Sequence, residues 1–353
     1  MSEKQKVIIT GGLGYIGSHT AIELLHSGYE LVLIDDLSNS HLFIKDAIES
    51  ISGQQVNFNE FDLKDYAACA QLFEEHQDAI AVIHFAAHKA VGESVENPDK
   101  YYRNNLLSTI NVVKCMEEHK IPNLIFSSSC TVYGQPEELP VTENAPVQPP
   151  ASPYGATKQM NEQMLKDLSF ASSSLSVVSL RYFNPIGAHE SGKIGELPQG
   201  VPQNLLPYLT QTAKGIREFL RVWGDDYNTP DGTAIRDYIH ISDLATGHLK
   251  AFEYLRDNPD RKKYSVFNLG TGKGYSVLDV IHSFERSTGV KVPYKIFDRR
   301  PGDVECVYAD PTKANNELGW SCQYSLDDMT KSAWIWENTV SEFLNESKAL
   351  KNG

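Results

Sequence analysis

The segment KVIITGGLGYIG, near the amino terminus, constrains the fold of this chain more than any other stretch. Lys6–Thr10 is a short β-branched run, and apolar residues recur at helical spacing over Tyr15–Ser27. Between them, Gly11, Gly14 and Gly17 have the spacing G-x-x-G-x-x-G. Glycines permit a tight turn and close backbone approach, and the helix N-terminus offers N–H groups to a pyrophosphate. The segment therefore predicts dinucleotide binding, and a glycine turn that only joins a strand to a helix is the alternative.

The strand–helix alternation that begins there reads as five units and fades after SVVSLRYFN, which ends at Asn184. We therefore predict the α/β fold class, with a Rossmann-type doubly wound parallel sheet in a cofactor domain over 1–184. A stretch rich in glycine and proline follows. Beyond it we expect a smaller α/β lobe over 185–345, from which later strands can return to the first sheet. Its predicted helices are Leu205–Ile216, Asp243–Leu255 and Val277–Ser287.

Acidic residues close the second predicted strand, ELVLIDD. Asp35 lies eighteen residues after Gly17, and Asp36 follows it. An acid at this distance binds ribose hydroxyls and repels a 2′-phosphate, so the spacing favours NAD over NADP. A turn or helix-capping role for the two aspartates is the alternative. The third strand ends near Asp62, a candidate for the adenine edge.

Small and hydroxyl side chains end the fourth and fifth predicted strands. The fourth strand ends at Phe85–Ala87, where small residues allow the backbone to touch a cofactor. The fifth ends at Ser127–Ser129. Ligands bind at the carboxyl ends of parallel strands, so we expect these hydroxyls to face a cleft.

Tyr154 and Lys158, in SPYGATK, are candidate catalytic residues. Residues four apart on a helix share a face, so the lysine ammonium would lie beside the phenol. A tyrosine has an ordinary pKa of about 10, and a nearby cation favours its phenolate. The alternative is an ordinary exposed pair. The position of the pair, after a dinucleotide-type sequence, favours catalysis.

Charge and cysteine content restrict the partners. The net charge is −14, which disfavours nucleic acid and means that an anionic substrate must be met by local arginine and lysine. The five cysteines are scattered without metal-ligand spacing, as is typical of reduced thiols. No apolar run approaches 18 residues, and a strand follows MSEKQK at once. We expect a cytoplasmic protein that binds no metal, no nucleic acid and no membrane.

Further motifs carry a family resemblance over nearly the whole chain. These are TGGLGYIGSH, HFAAHKAVGESV, FSSSCTVYG, SPYGATK, LRYFNPIGAH, PQGVPQNLLPY, GTAIRDYIH, NLGTGKGYSV and RRPGDV. In this order they resemble the extended short-chain dehydrogenase/reductase family. The combination of RYFNPIGAH, PQGVPQNL and RDYIHISDL is similar to its UDP-sugar 4-epimerase branch.

The resemblance implies a set of residues around NAD. It assigns the pyrophosphate, the adenosine end and the rest of the cofactor to Gly11, Gly14, Tyr15, Ile16, Gly17, Asp35, Asn39, Ser40, Asp62, Leu63, Phe85, Ala86, Ala87, Lys89, Asn104, Ser129, Tyr154, Lys158 and Tyr182.

It also implies a UDP-sugar site and a catalytic group. Tyr154 would take the proton of the sugar's 4-hydroxyl, Ser129 would hydrogen-bond that oxygen, and Lys158 would bind the nicotinamide ribose and lower the pKa of the tyrosine. The substrate residues are Lys89, Ser129, Tyr154, Tyr182, Asn184, Asn204, Leu205, Arg236, Arg300, Asp303 and Val307. The two arginines suit a diphosphate, because a guanidinium offers fork-shaped donors.

The implied reaction interconverts UDP-galactose and UDP-glucose through a transient 4-keto sugar and bound NADH, a step of galactose metabolism. Two alternatives stay open. A nucleotide-sugar 4,6-dehydratase needs an acid–base pair after Ser129, where this chain has Cys130 and Thr131. A non-enzymatic NAD-binding sensor would not need Tyr154, Lys158 and Ser129 together.

Substrate range and assembly are two further expectations. Val307 leaves space where resembling enzymes carry a tyrosine or a small residue, which predicts that UDP-N-acetylglucosamine and UDP-N-acetylgalactosamine are also accepted. Core packing is the alternative role for this valine. The resemblance also implies a homodimer that pairs through helices near Asp99–Glu118 and Tyr154–Phe170.

Overall fold

The structure is a computed structural model of the 353-residue chain, and it describes residues 4–258, 263–300 and 303–351. Pro301 and Gly302, in the motif RRPGDV, lie outside the described residues. The strands, in chain order, are β1 (Lys6–Thr10), β2 (Glu30–Asp35), β3 (Asn57–Glu60), β4 (Ala81–His84), β5 (Asn123–Ser127), β6 (Ser176–Tyr182), β7 (Asn184–Ile186), β8 (Leu220–Trp223), β9 (Ile235–Arg236), β10 (Tyr238–His240), β11 (Tyr264–Leu269), β12 (Tyr275–Ser276), β13 (Tyr294–Phe297) and β14 (Cys306–Val307).

Eleven α-helices lie between or after these strands in the described part of the chain. In chain order they are α1 (Tyr15–His26), α2 (Phe43–Ser52), α3 (Tyr66–Glu75), α4 (Val91–Glu96), α5 (Pro98–His119), α6 (Pro153–Ala171), α7 (Leu205–Ala213), α8 (Ile241–Asp257), α9 (Val277–Thr288), α10 (Thr312–Leu318) and α11 (Leu326–Lys351), with a 3₁₀ turn at Cys130–Tyr133. In the described part of the chain, no helix has the length and apolar character that crossing a bilayer would require.

Seven parallel strands form the central sheet, in the order β11-β6-β5-β4-β1-β2-β3. Strands such as β1 and β4 read as continuous apolar runs because helices cover both faces of the sheet. The apolar side chains form a separate cluster on each face. The predicted Rossmann-type fold class is confirmed.

The strand order reverses at β1, since β2 and β3 lie on one side of it and β4 on the other. In doubly wound sheets a crevice opens at the carboxyl ends of the strands at such a switch point. The glycine turn that follows β1 therefore lies beside this crevice, together with the chain that leaves β2 and β4.

Smaller sheets carry the second half of the chain. β7 pairs with β10, β8 with β13, and β9 lies between β12 and β14. An apolar cluster that includes Leu209, Val222, Phe284 and Met329 packs α7, α9 and α11 around them. β11 instead lies beside β6 in the central sheet, so this later strand does return to the first sheet. The predicted division at residue 184 stays a prediction.

Local sequence signals account for several element ends. Ser152 caps α6 by accepting a hydrogen bond from the N–H of Gly155, and Pro153 occupies the first helical position. Ser276 and Asp279 form a reciprocal capping box on α9. The predicted helix Leu205–Ile216 ends earlier, at Ala213, because Gly215 adopts a left-handed conformation with φ +81°.

Replacement of Gly17 by alanine tests the packing of the first turn. A Cβ at Gly17 would lie 2.1 Å from the carbonyl oxygen of Gly11, so the turn would have to move. We expect Gly17→Ala to lower the free energy of unfolding by about 1–3 kcal/mol. Gly92→Ala is the matched control, since its Cβ would meet nothing within 4 Å and alanine favours a helix. Equal urea midpoints for the two variants would contradict this packing.

Candidate functional site

Most of the predicted cofactor residues follow four neighbouring strands of the central sheet. The glycine turn follows β1, Asp35–Ser40 ends β2, Asp62 and Leu63 follow β3, and Phe85–Ala87 follows β4. Because the strands are parallel, these segments all lie at the carboxyl ends of the strands.

The glycine turn fits tightly between two strand ends. The N–H groups of Gly11 and Gly12 donate to the carbonyl oxygen of Ile34 at 2.7 and 3.1 Å. A Cβ on Gly11 would lie 2.9 Å from the backbone nitrogen of Ala86, so the turn also touches the chain after β4. Gly11 has φ +67°, a conformation that glycine adopts readily.

The first turn of α1 is suited to an anion. Gly14 precedes the helix without a side-chain capping bond, and the first turn holds no acidic residue. The N–H groups that begin a helix have no partner inside it, and the helix dipole places partial positive charge there. This end of α1 can therefore receive a phosphate group.

Asp35 connects the glycine turn to the loop after β2. Its carboxylate accepts hydrogen bonds from the N–H groups of Leu13 and Leu37 at 3.0 Å and from the hydroxyl of Ser40 at 2.6 Å. Burial raises the pKa of Asp35, and these three bonds oppose that shift. Asp36 accepts from the N–H and hydroxyl of Ser38, a turn role. A local structural role is thus present for both aspartates, and ribose binding by Asp35 stays a prediction.

The other predicted cofactor residues are less tightly held. Asn39 and Lys89 are exposed, and Asn104 is half-buried and donates to the side chain of Asn105 at 3.2 Å. Asp62 forms an ion pair with Lys64 at 3.2 Å. The backbone oxygen of Leu63 accepts from Asn111 at 2.8 Å.

Tyr154 and Lys158 lie one turn apart in α6, directly after the Ser152 cap. Tyr154 is half-buried and Lys158 is buried, so they are not an ordinary exposed pair. The lysine Nζ lies 5.8 Å from the centre of the tyrosine ring and donates to the carbonyl oxygen of Ser127 at 2.6 Å. The Ser129 side chain acts on the Tyr154 phenol and lowers its pKa, against the effect of burial. The structure therefore brings the three predicted catalytic residues together.

Burial affects both ionisable groups in the direction that opposes their predicted roles. It raises the pKa of Tyr154 to about 12, although the Ser129 side chain opposes the shift. It lowers the pKa of Lys158 to about 7, against the charge of Glu162. Burial therefore opposes the lowered tyrosine pKa that the resemblance implies, and that lowering stays a prediction.

Aromatic groups border this cluster. The hydroxyl groups of Tyr182 and Ser127 hydrogen-bond each other. His248 packs against both Tyr182 and Phe85, with ring centres 5.7 and 4.7 Å away. Burial lowers the pKa of His248 to about 4, so the imidazole is neutral near pH 7. Sequence reasoning missed His248, since one histidine in a helical apolar pattern resembles a core residue.

Arg236 and Arg300 converge on one carboxylate. Asp303 accepts from Arg236 at 2.5 Å and from Arg300 at 3.2 Å. Arg236 also lowers the pKa of Cys130 by its charge, against the effect of burial. Cys130 in turn acts on the pKa of Tyr154. Arg236 therefore lies within electrostatic range of Cys130, the residue that follows Ser129.

A second carboxylate holds other predicted substrate residues. Glu196 accepts from Lys89 at 2.9 Å and from Asn204 at 2.6 Å, and Asn204 directly precedes α7, which begins at Leu205. Lys89 lies 6.0 Å from the ring centre of Tyr15, whose phenol donates to the carbonyl oxygen of Gly187. These contacts link the glycine turn to the second half of the chain. Glu196 was also missed, because one glutamate in a loop carries no pattern.

Val307 and Asn184 lie at strand pairs of the smaller sheets. Val307 pairs with Arg236 across β14 and β9, and Asn184 pairs with Tyr238 across β7 and β10. The Val307 side chain is 7% exposed and packs in an apolar cluster with Val132 and Phe183, of which Cys130 forms the partly buried edge. This burial is what the core-packing alternative requires, and a role beside the sugar stays a prediction.

Comparison with known proteins gives the family. A family model described as GDP-mannose 4,6 dehydratase matches residues 8–333. UDP-glucose 4-epimerase from Bacillus subtilis is 50% identical over 333 residues, which cover 94% of this chain and 97% of that protein.

Within residues 4–258, 263–300 and 303–351, no group of three or more His, Cys, Asp or Glu residues could hold a metal ion.

Two solved structures have the same fold. UDP-glucose-4-epimerase from Stenotrophomonas maltophila, with bound NAD and formylated UDP-arabinopyranose, is 44% identical with a TM-score of 0.93, over 96% of this chain and 99% of that one. UDP-glucose 4-epimerase from Bifidobacterium longum, in complex with NAD+ and UDP, is 47% identical with a TM-score of 0.90, over 95% and 98%. The dehydratase alternative is not favoured, since the near-full-length identity is to epimerases. The chain belongs to the UDP-glucose 4-epimerase family.

Proposed function

We propose that this protein interconverts UDP-galactose and UDP-glucose by inverting C4 of the sugar, with NAD as a retained cofactor, in the cytoplasm. The observation that carries the proposal is the cluster of Tyr154, Ser129 and Lys158 at the end of β5, in the same parallel sheet whose β1 ends in a glycine turn suited to a phosphate. The arginine pair in the second half of the chain supplies local positive charge for a diphosphate in a protein of net charge −14.

The residues of the crevice fit NAD. The uncapped N-terminus of α1 suits its pyrophosphate, and the absence of a Cβ at Gly11 and Gly17 leaves the turn close to the sheet. The Asp35 carboxylate, at the end of β2, suits ribose hydroxyls and disfavours a 2′-phosphate. When bound, NAD would accept a hydride from C4 of the sugar and return it to the opposite face of the 4-keto sugar.

The chain's own residues manage the proton of the 4-hydroxyl. Tyr154 takes that proton and later returns it, and Ser129 hydrogen-bonds the same oxygen. General acid–base catalysis of this kind contributes on the order of 10²–10⁴-fold. A buried phenol is a poor base, so Lys158 must stay protonated in order to favour the phenolate.

The anchors hold the UDP part and leave the sugar free to turn. Arg236 and Arg300 would exchange their shared partner Asp303 for diphosphate oxygens, and bidentate guanidinium contacts suit those oxygens. On the other side, Asn204 and Lys89 would exchange Glu196 for substrate groups. The 4-keto sugar must present both faces of C4 to the nicotinamide, so strong polar contacts belong at the nucleotide end.

Replacement of the base tests the reaction. Tyr154→Phe removes the phenolic oxygen but keeps the ring, so we expect normal folding and NAD content with a loss of about 10²–10⁴-fold in turnover. The measurement is conversion of UDP-galactose to UDP-glucose by purified protein without added NAD. Tyr208→Phe, on α7, is a control that keeps activity. Near-normal turnover of Tyr154→Phe would refute the assigned base, and inactivity of the unaltered protein even with added NAD would refute the function.

We also propose that UDP-N-acetylglucosamine and UDP-N-acetylgalactosamine are substrates, because Val307 is a small side chain that pairs with Arg236 and belongs to a cluster against which Cys130 packs. Val307→Tyr adds bulk, so we expect N-acetyl turnover to fall at least tenfold more than UDP-galactose turnover, which corresponds to about 1.4 kcal/mol. Val307→Leu is the control of smaller bulk. Equal losses for both sugars would instead indicate that Val307 only packs the core.

We further propose that the protein is a homodimer that pairs through α5 and α6. These two helices pack against each other and still expose Leu107, Ile110, Met160 and Phe170, of which Phe170 is 64% exposed. Apolar side chains grouped on the outer surface of a helix pair indicate an interface.

Introducing a charge into that apolar surface tests the dimer. We expect the unaltered protein to sediment as a dimer at micromolar concentration and Ile110→Lys to sediment as a monomer, because a buried lysine without a partner opposes association. Ile216→Lys is the control, since Ile216 is 60% exposed and lies after α7. A monomeric unaltered protein would exclude the dimer.

A further inference from the structure

Three consecutive serines at the end of β5 each hold a different part of the catalytic cluster. The carbonyl oxygen of Ser127 accepts from Lys158 at 2.6 Å. The hydroxyl of Ser128 donates to Glu162 at 2.5 Å, and the side chain of Ser129 acts on the Tyr154 phenol and lowers its pKa. Two of these contacts belong to residues already assigned to catalysis. The contact between Ser128 and Glu162 has no assigned role.

Glu162 continues the face of α6 that carries the catalytic pair. Tyr154, Lys158 and Glu162 are spaced four residues apart, so they follow one another along the helix. The Glu162 side chain is 8% exposed, and its carboxylate pairs with Arg181 of β6 at 2.9 and 2.5 Å. The carboxylate is thus fixed by two partners, Ser128 directly after β5 and Arg181 on β6.

The position of this carboxylate matters because Lys158 lies in a poorly solvated place. Burial favours the neutral amine and lowers the lysine pKa to about 7, and the negative charge of Glu162 opposes the shift. A fully neutral lysine could not favour the phenolate of Tyr154. The titratable and charged groups that face Lys158 and its two neighbours on α6 are His84 on β4, Tyr101 on α5, Cys130 and Tyr133 in the 3₁₀ turn, Arg181 and Tyr182 on β6, and Tyr264 on β11.

We propose that Glu162 is a positioning residue of the active site, whose carboxylate, held by Ser128 and Arg181, keeps Lys158 in the ammonium form that Tyr154 requires. The pair with Arg181 fixes the carboxylate at its place, and the Ser128 hydroxyl ties it to the same strand end that binds Lys158. This inference rests on the proposed function, because Glu162 is given a role only in supporting Tyr154 as the base.

Direct titration of the lysine tests the proposal. The protein is labelled with [ε-¹³C]lysine in its NAD-bound form, and the Lys158 signal is identified by its loss in Lys158→Arg. In Glu162→Gln the side chain keeps its shape but loses its charge, so we expect the midpoint of the Lys158 titration to fall by about one pH unit or more. The alkaline limb of kcat/KM should fall with it. Glu143→Gln is the matched control, because Glu143 is a partly buried carboxylate that accepts from the N–H of Asn268 and does not act on Lys158.

A second variant keeps the test decisive if Arg181 without a partner prevents folding. The double variant Glu162→Gln, Arg181→Met removes both buried charges together and leaves neither ion unpaired. We expect the Lys158 midpoint to fall here too, but by less than in Glu162→Gln, because the cation of Arg181 is removed together with the carboxylate. A purely structural role would lower turnover equally at every pH and leave the lysine midpoint in place. An unchanged midpoint in whichever variants fold would overturn the proposal even if UDP-galactose is converted, whereas a lack of conversion by the unaltered protein would refute the proposed function instead.

Discussion

The parallel direction of the seven central strands is the constraint on which the rest of the structure depends. Because every strand runs the same way, the carboxyl ends of the strands lie together. The glycine turn, Asp35, Phe85–Ala87 and Ser127–Ser129 are all found at these ends. The reversal of strand order at β1 then opens a crevice beside them. Helix α6 carries Tyr154 in its first turn, and its Lys158 donates to Ser127 at the end of β5, so α6 meets the same strand ends. The smaller sheets carry Arg236, whose charge acts on Cys130, the residue after Ser129.

Desolvation dominates the electrostatics of this crevice. It raises the pKa of Tyr154 to about 12 and lowers that of Lys158 to about 7, so the protein makes both groups less charged than a solvated pair would be. The surrounding carboxylates limit this effect at different points. Glu162 acts on Lys158, while Asp303 pairs with Arg236 and Arg300 and Glu196 pairs with Lys89. Pairing these cations with carboxylates avoids the cost of leaving a buried charge without a partner.

The fold and much of the site could be predicted because the relevant signals are local. The strand KVIIT coincides with β1, and α5 and α6 begin within one residue of their expected positions. The predicted helix ends were less accurate where a glycine in the left-handed conformation ends the helix, as at Gly215 after α7. The partnership of Glu162 with Arg181 and of Glu196 with Lys89 could not be predicted, because each joins residues that are distant in sequence and carry no periodic pattern.

The sequence by itself determined the fold class, the glycine turn, the spacing of Tyr154 and Lys158, and the motifs of the family, since each depends on residues close together in the chain. Only the tertiary structure decided that β11 joins β6, that Asp303 bridges two arginines, and that Val307 is buried. It also decided the ionisation tendencies of the catalytic pair. The physical reason is that burial and charge depend on what surrounds a group in three dimensions, and those neighbours come from β4, β5 and β6 as well as from α6.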